Sequence, residues 1–483
     1  MARGGVFSYV SFNLPALLRL AKQLRNVPCT CDSSKQPESG SWNWAIFISF
    51  EDGLEWVFLS PRKDNNIAPE IAAKLLESHV ATLNFLKLNS PIPVPEVFDY
   101  SSNRSNPIGI PYILMSKAPG FPLSRFAWDA CPDGMVLSRK PRPVLGRTNK
   151  EKIMSQLGTI SSQLLKLRFD KIGSLFEEDE EYRVKECLSP ALIWHQRDSL
   201  GDDVARGPFQ HENEYHESLL SAFLLHVKEL PLEQHAFFAP IPKLGEFESF
   251  LSHRSAVSRW NDFVALGSKI DSGKNRLDYC TAGHFLQKMI AAATLQPLAP
   301  PDESSNRFCL WHPDISLGNI FVDDDFNITC IIDWAFSSTV PISTLLMTPT
   351  FPHPRDDVDT TLVPIFRASL LRQICQSDIK LDQEFWDCTR RTWLFTRLVT
   401  LDEDEINVPG LFKGVQTEMQ ELAETLAEDG LLASEIKREE EEYFSASNLD
   451  REAIARKLTV MANLSQGFVA DKRLWRWIEK AMA

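Results

Sequence analysis

Apolar positions along this chain switch between two spacings. From Trp44 to Phe50 they alternate, the turn Glu51, Asp52, Gly53 follows, and Glu55 to Leu59 alternate again, which predicts a β-hairpin. From Ala68 to Lys87 the spacing becomes helical, with Ile71, Leu75, Leu76, Val80, Leu83 and Leu86 on one side. Val94 to Tyr100 and Pro111 to Met115 read as further strands. The order is strand, strand, helix, strand, strand. From Lys150 onward helical spacing dominates, with Ile153, Leu157, Ile160, Leu164 and Leu167 marking a helix over 152–167. Upstream, Phe12 to Arg25 mixes Leu and Ala with Arg19, Lys22 and Arg25 and predicts an amphipathic helix packed on the body. A connector rich in turn formers follows over 26–41. Residues 175–265 read as an insertion of several helices broken by proline-containing loops. The fold class expected is α+β and bilobal: a helix and connector over 1–40, a small β-rich lobe over 41–118, and a mainly helical lobe over 119–483.

Composition narrows the function classes. A 483-residue chain can bury a large core, and its net charge of −14 argues against a nucleic-acid partner, whose surface would normally be basic. Nine scattered cysteines without a CxxC pair read as reduced thiols, with Cys309 and Cys330 in core strands. His211 and His216 are five apart with no partner motif and read as surface histidines, so zinc is not indicated. No apolar run approaches the roughly 18 residues that a membrane helix needs, so no membrane insertion is expected. The expected location is cytoplasmic. The basic stretch near the N-terminus keeps a mitochondrial presequence open. Lys437 to Glu442 reads as a solvated helix face.

The densest chemistry lies between Cys309 and Trp334. His312, Asp314 and Asn319 fall in a short loop. Phe321–Val322 and Ile328–Ile332 then read as strands around a turn at Asp323 to Asn327, and the second strand delivers Asp333 at its end. Phosphoryl transfer needs such a set: one carboxylate to receive the acceptor's proton, and an amide and an acid to hold Mg²⁺ against nucleotide phosphates. Asp323 to Asp325 read only as a solvated turn. Trp334 reads as core. For His312, packing beneath the loop and a direct chemical role both stay open.

On these residues the chain resembles the aminoglycoside phosphotransferase-like kinases, especially fungal members of unassigned substrate. The resemblance rests on His312-Pro313-Asp314, Gly318-Asn319-Ile320 and Ile331-Ile332-Asp333-Trp334, where protein kinases use His-Arg-Asp and Asp-Phe-Gly. Ser41-Trp42-Asn43, Ile92 to Val97, Ile108 to Met115 and Pro119 to Leu123 precede them in the family's order. It covers about residues 39–345. It implies ATP and Mg²⁺ as cofactors and transfer to a hydroxyl of a small molecule. Asp314 and His312 would be the catalytic pair, and Asn319 and Asp333 would hold the metal. Ser41, Met115, Lys117 and Asn319 would sit on the nucleotide, with Met115 to Gly120 as the interlobe hinge. The acceptor is not legible, because the fold serves many.

Two positions depart from that family. Leu59 stands where it has a phosphate-facing Lys or Arg, and His79 where a Glu pairs with that cation. Arg62 has the wrong strand parity to replace it and Lys63 lies too far along. The alternative reading is therefore an impaired pseudokinase or nucleotide-binding scaffold with a protein partner. No segment after Asp333 reads as the activation loop of a protein kinase.

Overall fold

The computed structural model describes residues 6–62, 67–129, 142–229, 307–352, 358–374 and 381–400, with a few isolated positions between them. The chain divides into two compact units, one of residues 1–129, 142–215 and 296–392, the other of 130–141, 216–295 and 393–483. The elements that build the site lie in the first.

Short helix α1 (Val6–Tyr9) leads to α2 (Leu14–Arg25), where Asn13 accepts the Ala16 N–H at 3.1 Å as N-cap and left-handed Asn26 ends the helix. The hairpin expected from the alternating pattern is β3 (Asn43–Phe50) with β4 (Glu55–Pro61). They join a sheet ordered β1 (Cys29–Thr30), β3, β4, β6 (Tyr112–Ser116), β5 (Val97–Ser101), with β2 (Glu38–Ser39) also on β3. Alternation gives this sheet two apolar faces. The outer one carries Trp44, Ile46, Ile48, Phe50, Trp56 and Phe58, covered by Val6, Val10, Ala16, Leu17 and Ala21. The N-terminal helix is thus a core layer of the lobe. On the inner face Val57 and Leu59 pack beside Ile113 and Met115.

Helix α3 (Pro69–Asn89) buries the predicted stripe and also Ser78, His79 and Thr82. It is covered on more than one side because residues 175–184 form a hairpin against it, β9 (Leu175–Glu178) with β10 (Glu181–Val184). The sequence suggested helices there. Short alternation ending in left-handed Asp179 and Glu180 makes a tight turn instead, and Tyr182 reaches Phe85 with ring centroids 5.3 Å apart. Helices α5 (Pro190–Ile193) and α6 (Glu212–Glu229) follow; residues 230–265 of the expected insertion and the charged run 437–442 lie outside the described residues. His216, expected at the surface, is buried on α6 with its ring 5.2 Å from that of Phe395, because it lies on the face with Leu219, Leu220 and Phe223. Burial lowers its pKa to about 4.

The helical lobe contributes α4 (Arg147–Lys166) and strand β8 (Arg168–Phe169). Strand β11 (Phe308–Trp311) pairs with both β8 and β14 (Ser338–Val340). Strands β12 (Ile320–Val322) and β13 (Ile328–Ile331) form the second predicted hairpin, joined by β7 (Phe121–Pro122). Gly120, just before β7, has φ of +83° and lies so close to the Val322 carbonyl that any side chain would collide with it. Beyond β14 come α7 (Ile342–Leu345), α8 (Val363–Ile374) and α9 (Gln383–Thr400), with α8 packed along α4. The result is an α+β fold, a sheet lobe followed by a mainly helical part.

Candidate active site

Strand β11 is buried from Phe308 to Leu310 and ends at half-buried Trp311, so the next residue enters a loop braced from below. His312 is that brace. Its Nδ1 accepts the Asp314 N–H at 3.0 Å, which leaves Nε2 as the protonated nitrogen, donating to the Ile332 carbonyl at 2.9 Å. The ring also meets Trp334 edge-on at 4.7 Å. One neutral imidazole therefore ties the Asp314 loop to the strand that carries Asp333. Burial lowers its pKa, which keeps it neutral.

Asn319 closes the loop. Its Nδ2 donates to the Asp314 backbone carbonyl at 2.9 Å and to Asp314 Oδ2 at 2.8 Å. A carboxylate only accepts, so the amide oxygen is fixed facing away and is free to take a cation. The Asn319 carbonyl receives the Ile332 N–H at 3.0 Å, which brings Asp333 beside it. Asp333 has φ of +62°, a costly conformation for a non-glycine residue. Burial first, and then the Asp314 charge, push its carboxyl up to about 7. Two acids crowded with an amide oxygen nearby form an all-oxygen donor set, which fits a hard cation that keeps other ligands of its own. Among the described residues no cluster of three or more His, Cys, Asp or Glu could hold a metal. Asp323 does what a turn acid does, accepting the Asp325 and Asn327 N–H groups.

The sheet lobe faces this loop through defined bonds. The Ile331 N–H donates to the Pro93 carbonyl at 2.8 Å, and Thr329 Oγ1 donates to the Pro119 carbonyl at 2.7 Å. Ser41 is exposed at the tip of the turn between β2 and β3. Met115 is buried on β6 opposite Val57. Lys117 pairs with Glu55 at 2.5 Å and lies 5.1 Å from the centre of the Phe47 ring, at the edge of the inner face.

With that geometry in place, residues 214–344, which include the loop and both acids, match the model of the phosphotransferase enzyme family. Over this segment the chain is similar to that family. Similar curated proteins include a subtelomeric hrmA-associated cluster protein of Aspergillus fumigatus, 27% identical over 188 residues that make up 38% of this chain and 31% of that protein. Another is the altered inheritance of mitochondria protein 9, mitochondrial, of Candida tropicalis, 33% identical over 135 residues, 28% of this chain and 20% of the relative. The matched part is thus under a third of either relative's length. Among solved structures a macrolide 2'-phosphotransferase of Brachybacterium faecium aligns over 85% of this chain and 97% of its own, at 14% identity and a TM-score of 0.37, too distant to bear on function.

The two sheet-lobe positions where the sequence departs from the expected ion pair are both apolar or neutral in their surroundings. Leu59 is half-buried among inner-face hydrophobics. His79 is buried in α3, where burial and then the nearby His312 lower its pKa to about 4. The sign follows: the unfolded imidazole protonates below about 6.5 and the folded one only near 4, so protonation favours the unfolded chain. This stability is complete above pH 6.5 and falls away toward pH 4, by about 1.4 kcal/mol per pH unit. In denaturant titrations at pH 7.5 and 5, the His79→Gln variant should therefore close the gap to wild type as pH falls. A gap that stays constant would mean that this ring is not held neutral.

Sequence reasoning missed what holds α3 instead. Ala68 has no capping side chain, and the first turn of α3 is capped by Asp198 Oδ2, which accepts the Ala68 N–H at 3.0 Å. Lys74 pairs with Glu186 at 2.6 Å, and Leu75 packs with Phe176, Leu188 and Ile193. Arg62, set aside as a phosphate cation, reaches back to the turn at Gly40. No local pattern announces these contacts, since their partners are far apart in sequence.

Proposed function

We propose that this chain is an ATP- and Mg²⁺-dependent phosphotransferase acting on a hydroxyl of a small molecule. The observation that carries the reading is the Asp314–Asn319 hydrogen bond together with the backbone link from Asn319 to Ile332, which brings Asp314, Asn319 and Asp333 together at the base of one hairpin. Asp314 receives the acceptor's proton as the acceptor oxygen bonds to the γ-phosphorus of ATP and the bond from that phosphorus to the bridging oxygen breaks, releasing ADP. Asn319, through its amide oxygen, and Asp333 would hold Mg²⁺, which when bound offsets the negative charge of the phosphates. His312 keeps the two acids in register and stays neutral. Ser41 and the backbone from Met115 to Lys117 would meet the nucleotide.

The second reading, an impaired nucleotide-binding relative, rests on Leu59 and on the neutral His79. Titration calorimetry with ATP, with and without Mg²⁺, tests the first. Binding that Mg²⁺ strengthens, followed by turnover on some member of a hydroxylated-metabolite panel, supports it. Mg²⁺-dependent binding with no turnover favours the second, and no nucleotide binding overturns both. The reading suits a cytoplasmic setting, or the mitochondrial one named for the Candida relative. Among the described residues no helix is long and apolar enough to cross a membrane.

A further inference from the structure

The turn between β2 and β3 is held at both ends. Its backbone folds tightly, with the Gly40 N–H on the Asn43 carbonyl at 2.9 Å. Arg62, just past β4, braces it twice: its own N–H donates to the Trp42 carbonyl at 3.0 Å, and its Nη1 donates to the Gly40 carbonyl at 3.0 Å. At the tip, the Trp42 ring leaves the sheet lobe and meets Phe336 edge-on, with centroids 4.8 Å apart at 65°. Phe336 lies three residues beyond Asp333, and Trp194 from the α5 segment backs it at 5.7 Å and 81°.

Phe336 has φ of +61°, a conformation that a bulky L residue rarely adopts. A chain that holds an aromatic residue there against its preference is aiming the ring, and what the ring meets is Trp42 and Trp194. Trp42 remains half-exposed, whereas Phe336 is only 7% exposed, so the movable partner is the turn.

We propose that Trp42 is a positioning residue: it latches the β2–β3 turn onto the segment that follows Asp333, and Arg62 makes that turn stiff enough for the latch to act. Where a lysine and a glutamate would otherwise link strand to helix, this chain links turn to acid segment through aromatic rings. The latch holds the turn closed over the phosphate side of the nucleotide, and in this respect it rests on the function proposed above. Its consequence is that nucleotide affinity depends on a ring that touches no catalytic acid.

Amide hydrogen exchange on the full chain without nucleotide tests the latch alone. In Trp42→Ala the Gly40 and Arg62 amides should exchange about tenfold faster, while the β3–β4 ladder, for example around Ile48 and Trp56, keeps its protection. In Trp42→Phe both should return close to wild type. Unchanged exchange at Gly40 and Arg62 in the alanine variant overturns the latch, and so does loss of protection throughout the ladder in both variants. Phe336→Leu should reproduce the effect from the other side, and the double variant should add little to it. Independent, additive effects would overturn it. ATP affinity in the presence of Mg²⁺ should fall about 3- to 10-fold in Trp42→Ala, the range an edge-on aromatic pair supports, and recover in Trp42→Phe. Faster exchange with unchanged affinity would overturn the positioning role. If the wild-type chain binds no nucleotide, the function proposed above fails, while the exchange result still decides the latch.

Discussion

Asp314→Asn is expected to cut phosphoryl transfer by about 10²–10⁴, the usual worth of a positioned general base. The substitution keeps the size of the side chain and an oxygen for Asn319 Nδ2, so the loop should stay folded and nucleotide affinity should change little. The backbone bonds from Asp314 to His312 Nδ1 and to Asn319 do not involve the carboxylate and survive the change. A neutral amide beside Asp333 also removes the charge that helps to raise its carboxyl. The measurement is initial rate on an accepted substrate, with nucleotide binding measured in parallel. Full turnover in the variant would show that the acceptor's proton leaves by another route.

Asp333→Ala is expected to abolish the Mg²⁺ enhancement of nucleotide binding and to lower activity by more than about 100-fold, since a bound cation contributes several kcal/mol of charge stabilisation. Asn319→Ala should weaken the same enhancement less, because it takes away one neutral oxygen, but it should also loosen Asp314. Asp333→Ala should at the same time raise thermal stability without metal, because it removes a buried acid that Asp314 repels. Gain of stability with loss of binding is a pattern that a purely structural acid would not give. If Mg²⁺ strengthens ATP binding equally in wild type and Asp333→Ala, the cation is held elsewhere.

The parts of this protein that could be read in its sequence share one property: their pattern is local. The β3–β4 hairpin, α3 and the β12–β13 hairpin each announce themselves within about twenty residues by spacing and turn chemistry. The loop from His312 to Asn319 is equally compact, so its candidate residues could be picked out from their order, whereas the bonds that His312 and Asn319 make within it could not. The rest depends on pairs distant in sequence. Asp198 caps a helix that starts at Pro69, Glu186 holds Lys74, and β8 meets β11. His216 was misjudged for a related reason, because its exposure is set by what packs on α6 and not by its neighbours in the chain. Arg62 is the most instructive case. Strand parity excluded it from the phosphates, yet its length let it reach the turn at Gly40, a contact that parity does not forbid.

The outer core of the sheet lobe has a bearing on how the chain folds. Every side chain in it lies between Val6 and Leu114, a stretch made before the strand that carries the loop. The strand that carries the loop, β11, finds its partner β8 only across the whole intervening insertion. Contacts between near residues close quickly, whereas loop-closure entropy delays those between distant ones. The sheet lobe can thus close its own contacts during synthesis, while the acids are still being made. During that interval its inner face, with Val57, Leu59, Ile113 and Met115, lacks the later residues that share its core, and transiently exposed apolar surface of this kind favours association of nascent chains.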